Sequence, residues 1–247
     1  MDSQHRRGRN RLHSWRALVP VVIVAALVVA AIPGWVAPAA AAPPACVADG
    51  DYGQVAGIEM ANNSRGPFAR GTRSKMYAGG TTPCQRISSI YVRSPHRSGW
   101  VEFGWISGYS NCTGTTNSVP RLFYWEHDDL TSHTSCQVFG INPTQAGSAT
   151  YIVSNTDGSN GSKTWDLTYS STSVLKGITS DFTRGWPLVG MERGASDDSG
   201  YAVWDLLYRY HDSNGWAYWN DPSVFENEDP GFVYKQYSLH KLASVTR

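Results

Sequence analysis

Two glutamates stand out because each lies in a run of alternating residues and has a glycine two positions away. Glu102 lies in the segment WVEFGWI, two residues before Gly104, and Glu192 lies in PLVGMER, two residues after Gly190. Side chains alternate between the two faces of a strand, so each glutamate shares a face with its glycine. Glycine is unfavourable inside a strand unless something approaches closely. We therefore predict open space beside each carboxylate.

Two carboxylates in one cleft have a recognised chemical use. Close acids do not both ionise easily, so one keeps its proton while the other is charged. The charged group can activate a water, and the protonated one can polarise a carbonyl or protonate a leaving group. We predict Glu102 and Glu192 as catalytic residues, with Trp100, Gly104 and Gly190 binding substrate. A solvated position on an exposed sheet face is the alternative for each glutamate.

The elements that must hold these residues are short strands. Long helical periodicity is absent, and alternating runs recur between turn residues. The predicted strands lie near residues 54–60, 73–78, 86–93, 99–106, 120–126, 133–139, 148–154, 163–169, 173–177, 187–193, 201–210, 215–219 and 232–238. This many strands predicts an all-β fold, a two-sheet antiparallel β-sandwich of the jelly-roll kind in one domain. Asn155 to Ser162 and His211 to Gly215 are predicted hairpin turns, and Asp221 to Gly231 a long acidic loop.

Alternation also predicts which side chains form the core. They are Val101, Phe103, Trp105, Val189, Met191, Trp165, Leu167, Tyr169, Trp204, Leu206, Tyr208 and Tyr210. Trp216, Tyr218 and Trp219 lie beside a turn, and we expect them to be partly exposed. Exposed aromatic rings can stack on sugars, which would suit a binding module, although ordinary packing accounts for most tryptophans in sandwiches.

A stretch of the chain resembles a known family. The motif EFGW begins at Glu102, the motif RLFYW begins at Arg121, and Cys136 follows on the next predicted strand. This order resembles the neprosin family of secreted glutamic peptidases, and the similarity covers residues 100–140. The resemblance implies a two-sheet antiparallel sandwich with two catalytic glutamates, of which Glu102 is the first. Glu192 is the candidate for the second by its order and its strand context.

The amino end has the features of a secretory signal peptide, residues 1–41. Arginines precede an uncharged apolar run, Ala17 to Ile32, and an alanine-rich stretch follows. This order of basic, apolar and small residues is typical of export signals. We predict cleavage after Ala41 and a secreted, extracellular domain of residues 42–247. A retained anchor is the alternative, but the run is interrupted by Pro20 and is shorter than the roughly 20 residues of a spanning helix.

The four cysteines predict a disulfide framework. Cys46, Cys84, Cys112 and Cys136 all lie in the exported part. An even number in an oxidising compartment indicates two disulfides. We favour Cys46–Cys84 and Cys112–Cys136, because each pair closes a short loop between successive segments. A zinc site is the alternative, but zinc-binding cysteines usually lie two to four residues apart.

Charge and motifs exclude several other functions. Without residues 1–41 the chain has 16 basic and 19 acidic residues and no basic cluster, which argues against nucleic acid and anionic membranes as partners. The motifs of a serine hydrolase elbow and of a zincin are absent. The segment EHDD, Glu126 to Asp129, could bind a metal but is better interpreted as a polar turn. The acidic residues Asp221, Glu226, Glu228 and Asp229 lack EF-hand spacing. We therefore predict no cofactor and no metal.

The sequence thus favours a secreted, peptidase-like hydrolase that uses Glu102 and Glu192 to activate water at acidic pH. A non-catalytic glycan-binding or surface-binding sandwich and a two-carboxylate glycoside hydrolase are the alternatives. The expected partner is an extracellular polypeptide or glycan, not nucleic acid. We expect a monomer with no stable membrane anchor after cleavage.

Overall fold

Strands make up most of the residues that the computed structural model describes. It describes residues 54–60, 69–79, 84–96, 98–155, 163–193, 200–211, 215–219, 222–226, 232–238 and 241–246. The strands are β1 (Gln54–Met60), β2 (Gly71–Tyr77), β3 (Arg86–Arg93), β4 (Trp100–Ser110), β5 (Thr115–His127), β6 (Thr134–Val138), β7 (Ser148–Ser154), β8 (Thr164–Tyr169), β9 (Thr172–Thr179), β10 (Trp186–Arg193), β11 (Gly200–His211), β12 (Gly215–Tyr218), β13 (Pro222–Glu226), β14 (Phe232–Ser238) and β15 (Lys241–Thr246). A short 3-10 helix, Pro143–Ala146, precedes β7. The predicted signal peptide, residues 1–41, lies outside the described residues.

Two antiparallel sheets contain these strands. The first has the order β13-β1-β10-β3-β4-β5-β6, and the second has the order β14-β15-β11-β2-β7-β8-β9 with β12 paired to β11. Every strand pair is antiparallel. The predicted two-sheet antiparallel sandwich is therefore confirmed. Within the described ranges, no helix is long and apolar enough to cross a membrane.

The core lies between the two sheets and follows the predicted alternation. Val101, Phe103 and Trp105 of β4 are fully buried, as are Trp165 and Trp204 of the second sheet. Burying each such side chain stabilises the fold by roughly 2–3 kcal/mol. The Trp204 indole N–H also donates to a β3 carbonyl across the interface, over 3.0 Å to Ser89 O. The apolar side chains and this bond hold the first sheet rigidly against the second.

Several strands differ from the prediction. The region predicted as an acidic loop contains β13, whose apolar centre, Val224 and Phe225, pairs with β1. Pro222 begins this edge strand, a position where a missing N–H is tolerated. The strand β15 was not predicted, and it pairs with both β11 and β14. The predicted hairpins β7–β8 and β11–β12 pair as expected.

A bulge in β11 also overturns part of the predicted core. Leu206 adopts a left-handed backbone conformation with φ of 54° and is 42% exposed, whereas Leu207 is fully buried. The register shifts between Asp205 and Tyr208. An extra residue in a bulge exchanges the faces of the side chains that follow.

Trp219, predicted to be partly exposed, is fully buried.

Candidate active site

Glu102 and Glu192 lie on the same face of the first sheet, the face that points away from the second sheet. We call it the outer face. Strand β3 separates β4 from β10, and both neighbours pair with it. The register places Ser89 opposite both Gly104 and Gly190, so a row of small residues crosses three strands. The two glutamates flank this row, Glu102 on one side and Glu192 on the other.

The strand register also sets the distance between the Cα atoms of the two glutamates. Tyr91 lies opposite Glu102 and is in turn opposite Leu188, which is four residues before Glu192. Two strand spacings and four residues correspond to Cα offsets of about 10 Å across and about 13 Å along the strands of a flat sheet. The two acids therefore flank a gap that is one row of small residues wide.

The Glu102 carboxyl is withdrawn from water. Its side chain is only 5% exposed. Burial raises the pKa of Glu102 well above its usual value, and the negative charge on Glu192 raises it further. A hydrogen bond from Ser89 partly offsets this rise in pKa. Glu102 therefore keeps its proton to higher pH than an ordinary glutamate, because its charged form would be both poorly solvated and repelled.

The Glu192 carboxyl ionises more readily. Part of the side chain stays accessible, but the surrounding protein withdraws the carboxyl from bulk water and raises its pKa to about 7. The Gln85 side-chain amide donates to Glu192 Oε2 over 3.4 Å, and this bond lowers the pKa of Glu192. Gln85 was not predicted as a site residue. It lies just before β3, two residues from Ile87, and only the strand order reveals that it adjoins Glu192.

A folded-back hairpin borders the site. The β4–β5 hairpin has a register shift between Ile106 and Gly108, where Gly108 has a φ of 72°. Cys112 in its turn forms a disulfide with Cys136 of β6, with a Cα–Cα distance of 5.8 Å. Cys136 pairs with Trp125, some ten residues along β5 from the turn. Since a straight hairpin of that length would extend about 30 Å beyond Cys136, its tip folds back over the outer face.

The same hairpin tip reaches Gln85. The Asn111 backbone N–H donates to Gln85 Oε1 over 3.5 Å, while the amide nitrogen of Gln85 faces Glu192. The disulfide therefore holds a turn that helps to orient the amide beside one of the acids. Of the two predicted disulfides, Cys112–Cys136 is confirmed. Cys84 is also disulfide-bonded, and its predicted partner, Cys46, lies outside the described residues.

Gly104 has a different role from the one predicted. A Cβ on Gly104 would lie 2.1 Å from Ser88 O and 2.7 Å from Ser89 Cα. The glycine therefore permits close approach of the β3 backbone, and its Cβ position is not open space for substrate. Trp100 shares the outer face but lies beyond Glu102, on the side away from Glu192. Its ring packs against His127 with centroids 4.8 Å apart.

Potential metal ligands converge elsewhere in the described part of the chain. Glu126, Asp128 and His133 place ligand atoms within 4.8 Å of one another. Glu126 pairs with Val101, a core residue, so it faces the inside of the sandwich. This cluster is thus separate from the outer face. Within the described ranges the outer face itself has two carboxyl groups suited to proton transfer and an amide that can orient one of them.

Comparison with known proteins extends the fold assignment. No protein-family model matches the chain, and no curated protein sequence matches it significantly. Its structure is similar to scytalido-glutamic peptidase bound to a transition state analog inhibitor, with a TM-score of 0.55 and 8% identity over 78% of this chain and 98% of that chain. A second structure of that peptidase, with a peptide based transition state analog, gives a TM-score of 0.50 with the same identity and coverage.

A solved structure described as native glycosidic hydrolase gives a TM-score of 0.36 and 9% identity, over 78% of this chain and 74% of that chain. That similarity is too low to support an argument. At 8% identity, the likeness to scytalido-glutamic peptidase indicates a shared fold. The resemblance to the neprosin family stays a prediction. The chain has a β-sandwich of the kind found in a glutamic peptidase.

Proposed function

We propose that this chain is an exported hydrolase that cleaves peptide bonds with Glu102 and Glu192. One observation carries the proposal: the two acids face each other across the Gly104–Ser89–Gly190 row, and the charge on Glu192 raises the pKa of Glu102. Environments that push two pKa values apart are typical of an acid and base pair. The fold shared with scytalido-glutamic peptidase supports this choice of reaction.

The pKa order assigns the two roles. Glu192 ionises first and acts as the general base, removing a proton from a water bound in the gap. The water oxygen attacks the carbonyl carbon of the scissile bond. Glu102, still protonated, donates a hydrogen bond to the carbonyl oxygen while the water oxygen adds to the carbon. When the C–N bond breaks, Glu102 gives its proton to the departing nitrogen. The proton that Glu192 took from the water then passes to Glu102, which restores the starting pair. Water is thereby added across the bond, which leaves a carboxylic acid and an amine. Gln85 positions Glu192 through their 3.4 Å hydrogen bond.

Export is part of this proposal. The Cys112–Cys136 disulfide is typical of proteins that fold in oxidising compartments. Residues 1–41 have the order of basic, apolar and small residues of a cleavable signal. We expect amino-terminal sequencing of the exported protein to begin at Ala42. A start at Met1 in a membrane-bound fraction would contradict export by cleavage.

Glycoside hydrolysis with the same two acids is the second candidate. Tyr91 and Trp125 lie in the same cross-strand row as Glu102, and both are partly exposed on the outer face. Aromatic rings beside a carboxylate suit sugar binding, because a sugar ring can stack on them. Inverting glycosidases also separate their carboxyl groups by roughly 6.5–9.5 Å, to leave room for a water.

Parallel assays distinguish the two candidates. The purified protein is incubated with a mixture of denatured proteins and with a panel of β-glucans, from pH 3 to pH 9. Glu102→Gln is the test variant and Asp205→Asn, a carboxylate-to-amide change in the second sheet, is the matched control. We expect protein cleavage that Glu102→Gln abolishes and Asp205→Asn preserves. Cleavage of glycans alone would support glycoside hydrolysis in place of peptide hydrolysis. If the folded protein cleaves neither class of substrate, both candidates are refuted.

A further inference from the structure

A second group of chemically active side chains lies at the β5–β6 turn. Glu126 ends the inner-face row of β5, Asp128 follows the strand, and His133 precedes β6. One ligand atom from each of the three lies within 4.8 Å of the others. The turn is closed by a bond from Asp128 N to His133 O, 2.9 Å long. The hairpin therefore brings together two carboxylates and one imidazole.

Glu126 has unused bonding capacity. Its side chain is fully buried. Oε2 accepts from Ser135 Oγ over 3.0 Å and from His133 Nδ1 over 3.2 Å. Oε1 is buried and accepts from no other donor among the described residues, and the neighbouring Asp128 carboxyl can bond to Glu126 only by sharing a proton. A buried carboxylate oxygen without a donor is costly, and the neighbouring group is another acid, Asp128, which supplies no donor when ionised. A cation between them would satisfy both.

The other bonds of the cluster orient it for such a cation. Asp128 Oδ1 accepts from Asp181 N over 2.8 Å, and Asp128 Oδ2 accepts from Thr131 Oγ1 over 2.7 Å. Supporting bonds of this kind fix ligand carboxylates in metal sites. His133 is 59% exposed, so its ring can move the short distance that closing the site requires. His133 and Ser135 also line a cavity of about 380 Å³, which gives an ion a path from solvent.

We propose that Glu126, Asp128 and His133 form a binding site for a divalent transition-metal cation of the zinc type. An imidazole nitrogen selects for zinc and its neighbours in the periodic table over calcium and magnesium, which prefer oxygen ligands alone. Three protein ligands leave a position for water. The bound ion would join the end of β5 to the start of β6 and replace the missing partner of Glu126. The site is separate from Glu102 and Glu192 and does not depend on the proposed function.

Isothermal titration with zinc chloride at pH 7.5 tests this inference on the purified protein. We expect one zinc ion per chain, and at least tenfold weaker binding in Glu126→Gln and in His133→Ala. His96→Ala removes another exposed histidine as the matched control and should leave the affinity unchanged. A parallel titration with calcium should show much weaker binding than zinc.

Four results would overturn the inference. The first is no saturable zinc binding, which is expected if the Glu126 and Asp128 carboxyls share a proton instead of binding a metal. The second is equal zinc affinity of wild type and His133→Ala. The third is loss of zinc binding in His96→Ala, and the fourth is binding of calcium in preference to zinc. Glu126 is buried, so its variant can fail to fold. His133→Ala changes an exposed side chain and keeps the test decisive in that case.

Discussion

Glu102 and Glu192 face each other on the outer face of one sheet, two strands apart and four residues out of register. The strands that carry the two acids, β4 and β10, do not pair with each other, because β3 lies between them. The intervening row consists of Gly104, Ser89 and Gly190, so it places no large side chain between the acids. The arrangement therefore suits two acids that act from opposite sides of one bond.

Removal of the Gln85 amide should change the pH dependence of hydrolysis. The hydrogen bond from Gln85 lowers the pKa of Glu192, so Gln85→Ala should raise that pKa. The ionised base then forms at higher pH, and the low-pH limb of kcat/KM should move upward. Each unit of movement lowers the rate below that limb about tenfold. Gln137→Ala, an exposed glutamine on β6, is the control and should leave the profile unchanged.

The pH dependence of kcat/KM for the wild-type protein tests the roles assigned to the two glutamates. Because the pKa of Glu192 is raised to about 7, the low-pH limb should lie well above the usual glutamate range near 4.3. The high-pH limb should report Glu102, whose pKa is raised by burial and by the charge on Glu192. This favours activity near neutral pH and not the acidic optimum predicted from the sequence. A maximum below pH 4 would contradict the assigned roles.

Glu102→Gln should stabilise the fold at neutral pH. The pKa of Glu102 is raised in the folded state, so its contribution to stability is present below the unfolded-state pKa and is lost as pH rises through the folded-state value. Glutamine is always neutral and has no such loss. Because each unit of pKa difference corresponds to about 1.4 kcal/mol, the variant should be measurably more stable than wild type at pH 7 and similar to wild type at pH 4. Urea unfolding measures both values.

Asp129→Asn is a control whose effect on stability at pH 7 should have the opposite sign to that of Glu102→Gln. Burial alone would raise the pKa of Asp129, but hydrogen bonds from Ser94, Ser98 and Gly99 outweigh it and lower the pKa. The contribution of this carboxylate is therefore present above the unfolded-state pKa and lost as pH falls. Asp129→Asn should destabilise the fold at pH 7 and have little effect at pH 3. An equal effect of Glu102→Gln at all pH values would show that its carboxyl is not perturbed.

The sequence predicted the faces of these strands well. Alternation in WVEFGWI correctly placed Val101, Phe103 and Trp105 in the core and Glu102 opposite them, because local side-chain direction follows directly from strand geometry. It could not predict that Gln85 adjoins Glu192, since contact between them depends on the order β10-β3-β4. Nor could it predict the exchange of Leu206 and Leu207, which follows from one left-handed residue in a bulge.

Gly104→Ala should be strongly destabilising. The added methyl group would lie 2.1 Å from Ser88 O, a backbone atom that cannot move without separating β3 from β4. Overpacking of this kind costs about 1–3 kcal/mol or more. Gly140→Ala is the matched control, because nothing lies within 4 Å of its Cβ position. Equal stability of the two variants in thermal unfolding would show that the close strand approach is absent.

Loss of the Cys112–Cys136 disulfide should weaken the fold and loosen the hairpin tip. The bond closes a loop with a sequence separation of 24 residues, for which the chain-entropy model gives about 3.5 kcal/mol. The double variant Cys112→Ser with Cys136→Ser isolates this bond, whereas reduction would also break the bond of Cys84. We expect the loss in urea unfolding together with a raised KM. An unchanged KM would show that the tip does not border the substrate site.

A double-mutant cycle on Glu102 and Glu192 tests the central claim most directly. The measurement is kcat/KM for wild type, Glu102→Gln, Glu192→Gln and the double variant on one peptide substrate, with circular dichroism to establish folding. General acid and base groups each contribute about 10²–10⁴-fold, and groups that act as a unit are non-additive. We predict that each single variant has a kcat/KM at least a hundredfold below that of wild type. The double variant should have a kcat/KM no lower than that of the less active single variant. Losses that multiply, or full activity in either single variant, would contradict a shared catalytic role.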